Sequence, residues 1–315
     1  VGIGEQIVQQ LINGISLGSV YALIALGYTM VYGIIRLINF AHGEIFMIGA
    51  FTGYFFKNNV NIYERIAASN PSLEGSFLLY ATDVVITLTV AMAVAALSGM
   101  IIERFAYKPL RFAPRLAALM TAVGVSMLLQ NLGIYFIGAE QRGFPALLPA
   151  ASYNVFGAIL TNRQILIFIT TALLLVLLQT VVHKTRMGRA MRAVSLDKDA
   201  ARLMGINVNA TISFTFAIGS ALAAAGGILF ALNYGRVNPL IGLMPGLKAF
   251  VAAVLGGIGI IPGAAIGGMI LGVTEAGVSA VGYSMVRDAV AFAILILVLL
   301  IKPTGILGKN VREKV

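Results

Sequence analysis

Residues 7 to 35, IVQQLINGISLGSVYALIALGYTMVYGII, carry no charged side chain and run well past the roughly 20 apolar positions an α-helix needs to cross about 30 Å of hydrocarbon. A core helix of a water-soluble protein is shorter and keeps one polar face. Similar runs follow near 40–56, 84–106, 116–137, 163–183, 211–232, 240–259, 262–281 and 286–301. Of the 315 residues, 59% are apolar and 11% charged, where an average soluble domain has roughly 25% charged, so the solvent for most of this chain is lipid. Lipid offers backbone groups no partner, and long runs without polar alternation satisfy them as helices rather than as a β-barrel. The sequence predicts an all-α, polytopic membrane helical bundle of eight or nine spans, a single domain over 1–315.

Charge sets the expected orientation. The net charge is +10, but the basic residues cluster between apolar runs, as topology determinants do, which argues against nucleic acid as a partner. Placing 15 of the 22 Lys and Arg residues, from Arg36 to Lys314, in the cytoplasm leaves six outside and Lys248 within a span. The N-terminus is then outside and the C-terminus inside after nine crossings, with 57–83 and 138–162 as outer loops. The first basic residue is Arg36, so the positive start of a signal peptide is missing and the first helix is expected to act as its own insertion signal. There is no cysteine, which excludes disulfides, thiolate metal sites and a Cys nucleophile, and His42 and His183 are the only imidazoles, so no metal site is expected.

Two runs are irregular. Residues 40–56 are short for a span, and 240–259 carry Pro245, Gly246 and Lys248 in the middle. Either is a kinked, packed helix or a broken, re-entrant segment of the kind tolerated at membrane depth only beside protein or a water-filled cavity. Glycine recurs at four-residue spacing in Gly14 and Gly18, Gly49 and Gly53, Gly263 and Gly267, and Gly268 and Gly272, which makes flat faces where helix backbones approach closely. Residues 39–53 and 238–259 each join an Asn to a glycine-interrupted apolar run, a weak sign of a two-half internal repeat.

Chemistry is sparse. Gly14-Ile15-Ser16-Leu17-Gly18 has the G-x-S-x-G spacing of hydrolases but lies inside a membrane helix, without the strand-to-helix elbow that nucleophile needs. No phosphate-binding G-x-x-x-x-G-K-[ST] loop is present, so the chain is not expected to be an ATPase. Asn39, His42 and Glu44 interrupt the apolar sequence close to the inner boundary, where an interfacial structural role competes with a pathway role. Lys248 and Glu275 lie in apolar context, where a charge costs at least about 2.5–3.5 kcal/mol and either lines a pathway or sits in an ion pair. The segment 184–209, KTRMGRAMRAVSLDKDAARLMGINVN, is too long and charged for a turn. Ala190, Ala193, Val194, Ala201 and Met204 recur there at helical spacing between Arg189, Arg192, Lys198 and Arg202, predicting short amphipathic helices whose apolar stripe faces a partner groove or headgroups.

Long strings of this chain resemble the LivH-type permeases of high-affinity branched-chain amino-acid ABC importers. They are NGISLGSVYALIALGYTMVYGIIRLINFAHGEIFMIGA at 13–50, IERFAYKPLR at 102–111, the segment 184–209, NPLIGLMPGLKAFVAAVLGGIGIIPGAAIGGMILGVTEA at 238–276 and PTGILGK at 303–309. The resemblance implies a permease subunit in a bacterial inner membrane, with 57–83 and 138–162 in the periplasm. Its implied partners are a second, LivM-like permease, two cytoplasmic ATPase subunits holding ATP and Mg, and a periplasmic binding protein, with no cofactor on this chain. It also makes 184–209 the segment coupled to the ATPases, with Met187, Gly188, Arg189, Arg192, Asp197, Ala200, Leu203 and Gly205 at the matching positions. Asn39, His42, Glu44, Lys248 and Glu275 are then the polar candidates along the pathway. Two rivals remain open: the same architecture carrying urea or short amides, and an autonomous channel or secondary transporter needing no ATPase.

Overall fold

The computed structural model describes residues 2–111 and 113–308; Lys309, Arg312 and Lys314 of the basic set lie outside the described residues. Among the described residues, seven helices are long and apolar enough to cross a membrane: α1 (Ile3–Ile35), α4 (Phe77–Ile102, prolonged by a π-helical turn to Tyr107), α5 (Arg115–Ile137), α6 (Asn162–Lys184), α9 (Val208–Tyr234), α11 (Ile261–Ala280), and α12 (Arg287–Ile301) with the 3-10 turn before it. Between them stand α2 (His42–Asn59), α3 (Ile62–Ser69), α7 (Arg186–Leu196), α8 (Lys198–Leu203) and α10 (Leu243–Gly256). α1 and α9 form the buried centre, and α2, α4, α10 and α11 pack around them. α5 and α12 lie at the periphery with most of their apolar surface exposed, as a lipid face requires.

Glycine fixes the central packing. A Cβ on Gly14 would lie 2.7 Å from Val273 Cα, one on Gly18 2.8 Å from Gly268 O, one on Gly268 2.6 Å from Ala22 N, and one on Gly272 2.2 Å from Gly18 N. α1 and α11 therefore touch backbone to backbone, the strongest attraction between helices when lipid removes the hydrophobic drive. Gly49 meets Ala224 of α9 in the same way, Gly263 and Gly267 meet α10 at Gly256 O and Ala252 O, and Gly53 faces the side chains of Ile228 and Phe144.

α10 is short, 14 residues or about 21 Å, which falls short of the hydrocarbon thickness, while α2, with 18 residues or about 27 Å, nearly reaches it. After α1 ends at Arg36, held in the left-handed region at φ 54°, the chain turns back into the bundle, and α2 starts beside Gly27 of α1. After α9 ends at Gly235, also left-handed at φ 66°, the chain again turns inward and α10 starts at the same depth. The two starts meet: a Cβ on Gly43 would lie 2.6 Å from Gly242 O, and one on Gly242 would overlap Gly43 O. At one constant offset, Arg36, Asn39, Gly43, Ala50 and Phe51 correspond to Gly235, Asn238, Gly242, Ala249 and Phe250.

Several expectations need correction. The chain is not wholly α: β2 (Ser152–Val155) and β3 (Ala158–Thr161) form a hairpin, and β1 (Arg142–Gly143) pairs with β4 (Arg236–Val237). The hairpin closes through Phe156 and Gly157, both at positive φ (51° and 81°), the geometry of a two-residue turn matching strand twist. It caps the first turns of α1, where Ile159 N donates to Gln9 Oε1 at 2.7 Å. The stretch 57–83 is largely helical, holding the end of α2, α3 and the start of α4, because Lys57 and Asp83 pair in the interior. Finally, residues 303–308 fold back onto α10: Ile306 N donates to Leu255 O at 2.8 Å and Leu307 N to Gly256 O at 3.2 Å, satisfying carbonyls the helix end leaves free.

Candidate functional site

Where the starts of α2 and α10 meet, polar groups collect. His42 and Glu44 open α2, and both are buried. They lie inside the bundle: the His42 ring packs on Tyr28 with centroids 4.6 Å apart, against Gly27, eight residues or about 12 Å back from the end of α1. The reason is the inward turn after Arg36, which a linear reading of the charges misses. Glu44 Oε1 accepts from Gln130 Nε2 at 2.7 Å and from Ser126 Oγ at 3.2 Å, both on α5. Glu44 Oε2 and His42 Nε2 are buried without a hydrogen-bond partner. Ser126 and Gln130 escaped the sequence reading, although their four-residue spacing in an apolar run already marked one polar face.

Lys248 and Glu275 form a second cluster. Lys248 Nζ lies 2.9 Å from Glu275 Oε1 and 2.7 Å from Asp288 Oδ1, and Tyr21 donates to Glu275 Oε2 at 3.1 Å. The pair joins α10 to α11, α12 and α1, so each buried charge meets the opposite charge that burial demands.

The third cluster lies at the other end of α1. Asn39 accepts from Tyr107 of the π turn at 2.8 Å. Buried Glu103 holds Arg111 by a short ion pair and accepts from Ser213 of α9 at 2.6 Å, tying the chain after α4 to the start of α9. Neither Glu103 nor Tyr107 was singled out by sequence, since their partners stand far away along the chain.

Beside it sit α7 and α8. Thr185 caps α7 by accepting from Gly188 N at 3.0 Å, and α7 folds back on the end of α6 so tightly that a Cβ on Gly188 would lie 2.2 Å from Val181 O. Arg192 donates to Val182 O across the same corner. Gly188, Met191, Val194 and Ala201 are buried against the bundle, with Met187 half-buried. Most of the apolar stripe expected to seek a partner is thus covered by the chain's own helices. What remains open is Leu196, Leu203 and Met204, each more than four-fifths exposed, beside exposed Arg189, Arg192 and Ala200. Asp197 caps α8, its Oδ1 accepting from Asp199 N and Ala200 N at 2.8 and 3.0 Å, and these amides, Ala200 first, hold its carboxyl below the usual range. Gly205 ends α8 at φ 79°. Burial lowers the Lys198 ammonium, with Arg111, Arg36 and Arg202 acting in the same direction.

The strings that drew attention extend to whole relatives. The chain is 47% identical over 311 residues to the high-affinity branched-chain amino acid transport system permease protein LivH of Salmonella typhimurium, covering 98% of this chain and 97% of the relative. The LivH protein of Escherichia coli is 47% identical over 312 residues with the same coverage, and the BraD permease of Pseudomonas aeruginosa 44% over 311. A more distant likeness, 34% over 122 residues, links 37% of the chain to the ribose import permease RbsC of Escherichia coli. The family profile described as branched-chain amino acid transport system, permease component, matches residues 10–299, and the chain belongs to that family of polytopic transmembrane components without a catalytic domain.

Proposed function

We propose that the chain is one membrane half of an ATP-driven importer that moves leucine, isoleucine and valine across a bacterial inner membrane. It works beside a second, LivM-like permease, two cytoplasmic ATPases and a periplasmic binding protein. ATP and Mg belong to the ATPases, and this chain contributes the path and the coupling. The observation that carries the reading is the meeting of the starts of α2 and α10 inside the bundle, in a chain related over its whole length to branched-chain amino acid permeases.

The two units α1–α2 and α9–α10 are read as inverted halves of one repeat, and α2 and α10, each with the stretch that leads into it, as broken spans counted among nine crossings. Support comes from the matching left-handed ends, Arg36 and Gly235, and from the reciprocal contact of Gly43 with Gly242. Repeats of this kind place a substrate route near the bilayer middle, where irregular backbone lines a cavity. With the N-terminus outside and the C-terminus inside, 184–209 faces the ATPases. Leu196, Leu203 and Met204 enter an ATPase groove, and Gly188 and Arg192 pass the motion on to α6 and the bundle. ATP drives the switch because it binds one state of the ATPase pair more tightly, which a ligand must do to shift an equilibrium.

Reconstitution tests this. Proteoliposomes holding all partners should take up leucine only with ATP and the binding protein, and charge reversal at Arg189 and Arg192 should release the ATPases and stop uptake. Leucine flux through the purified chain alone would overturn the reading in favour of an autonomous channel, and uptake of urea instead of leucine would overturn the substrate.

A further inference from the structure

Beside the junction of α2 and α10, a cavity of about 230 Å³ lies between these two helices and α5. Its volume equals that of about seven or eight bulk waters, room for one small solute. Glu44 lines it and is 1% exposed, yet Oε2 has no donor, because Gln130 and Ser126 both bond Oε1. A buried carboxylate oxygen left without a donor is costly unless a ligand supplies one. Gly242, Leu243 and Gly246 of the first turn of α10 form part of the wall, bringing the positive end of a 14-residue helix dipole to the same space. The rest is apolar, with Phe40, Val123 and Met127 prominent.

A free aliphatic α-amino acid matches all three features: an ammonium for the orphan oxygen, a carboxylate for the helix start, and a branched alkyl chain for the apolar wall. Urea has no charge for either pole. We propose that this cavity is a transit site for the amino acid, its ammonium donating to Glu44 Oε2 and its carboxylate resting at the start of α10. The proposal rests on the reading of the chain as a branched-chain amino acid permease and adds the place and the contacts.

The chain has no cysteine, so Ser126→Cys gives it a single thiol, in the cavity wall, whose labelling is followed on this chain after separation from its partners in the reconstituted transporter. Modification by methanethiosulfonate ethylammonium should slow at least about fivefold during turnover with saturating leucine-loaded binding protein, as occupancy of the site demands. Ser279→Cys, in a separate cavity beside Asn13 and Tyr234, should label at the same rate with or without leucine. In a second arm, Glu44→Gln keeps an oxygen for Gln130 and Ser126 but removes the charge, and leucine uptake should fall by at least about tenfold, with Glu44→Asp partly restoring it. Assembly is verified by co-purification of the ATPases. Unchanged labelling of the Ser126→Cys thiol with leucine, or wild-type uptake by Glu44→Gln, overturns the transit site. Failure of the unmodified transporter to take up leucine would instead overturn the underlying substrate reading.

Discussion

Glu275 shows how much one buried charge asks of its neighbours. Its carboxylate is held by Lys248 and Tyr21, and Lys248 also reaches half-exposed Asp288. Removing one member of such a pair strands the other, at a cost of about 3–5 kcal/mol, whereas replacing both by apolar groups of similar volume is close to neutral. Lys248→Ala or Glu275→Ala should therefore lower the thermal unfolding midpoint in detergent sharply, and the double variant Lys248→Met, Glu275→Leu should recover most of the loss. Asp288→Asn should cost no more than about 1 kcal/mol, because solvent screens a half-exposed partner. At Asp197 the sign of the pH effect follows from its depressed pKa: the cap is fully made above the unfolded carboxyl value of about 3.9 and is lost as pH falls through the lower folded value. Amide protection over 198–204, taken relative to the intrinsic exchange rate at each pH, should thus stay flat from pH 8 to about 5 in the parent, be lower throughout that range in Asp197→Ala, and remain near the parent in Asp197→Asn, which keeps an accepting oxygen.

At the scale of elements, glycine faces decide which helices touch. A Cβ on Gly272 of α11 would lie 2.2 Å from Gly18 N of α1, while one on Gly277, one and a half turns on, meets nothing within 4 Å. Gly272→Val should sharply reduce the yield of monodisperse protein on size-exclusion chromatography, overpacking costing about 1–3 kcal/mol or more. Gly277→Ala should leave it unchanged or improve it, since alanine favours the helix by up to about 1 kcal/mol. Gly188→Val should unseat α7 from α6, and the measurement is retention of the ATPases on an affinity-tagged chain. The spans and glycine spacings were legible in the sequence because both are periodic and local. Burial was not. His42 and Glu44, both buried, read as a polar interruption between spans because a chain that turns back into the bundle after Arg36 looks, in one dimension, like a chain leaving it. The pairs Lys57–Asp83 and Glu103–Arg111 were equally hidden, since a charge near the end of an apolar run reads as exposed until its partner's position is known. The hairpin at 152–161 was missed because its period-two pattern covers only four residues a side.

Across the whole molecule, the contact between Gly43 and Gly242 joins the start of α2 to the start of α10, and nothing larger than a hydrogen fits there. Gly242→Ala should abolish uptake while leaving the peripheral helices in place, which radiolabelled leucine uptake and circular dichroism would separate. Sidedness can be read on the cysteine-free background: Arg189→Cys should label only from the cytoplasmic face of inside-out vesicles, and Ser152→Cys only in right-side-out ones.

The backward fold of 303–308 onto α10 has a consequence for biogenesis. The carbonyls of Leu255 and Gly256 find their donors in Ile306 and Leu307, which leave the ribosome about fifty residues later. Until translation reaches them, the end of α10 lacks its native donors, so its final seating comes late in assembly. A chain truncated after Lys302 would carry every long span and still leave those two carbonyls without Ile306 and Leu307.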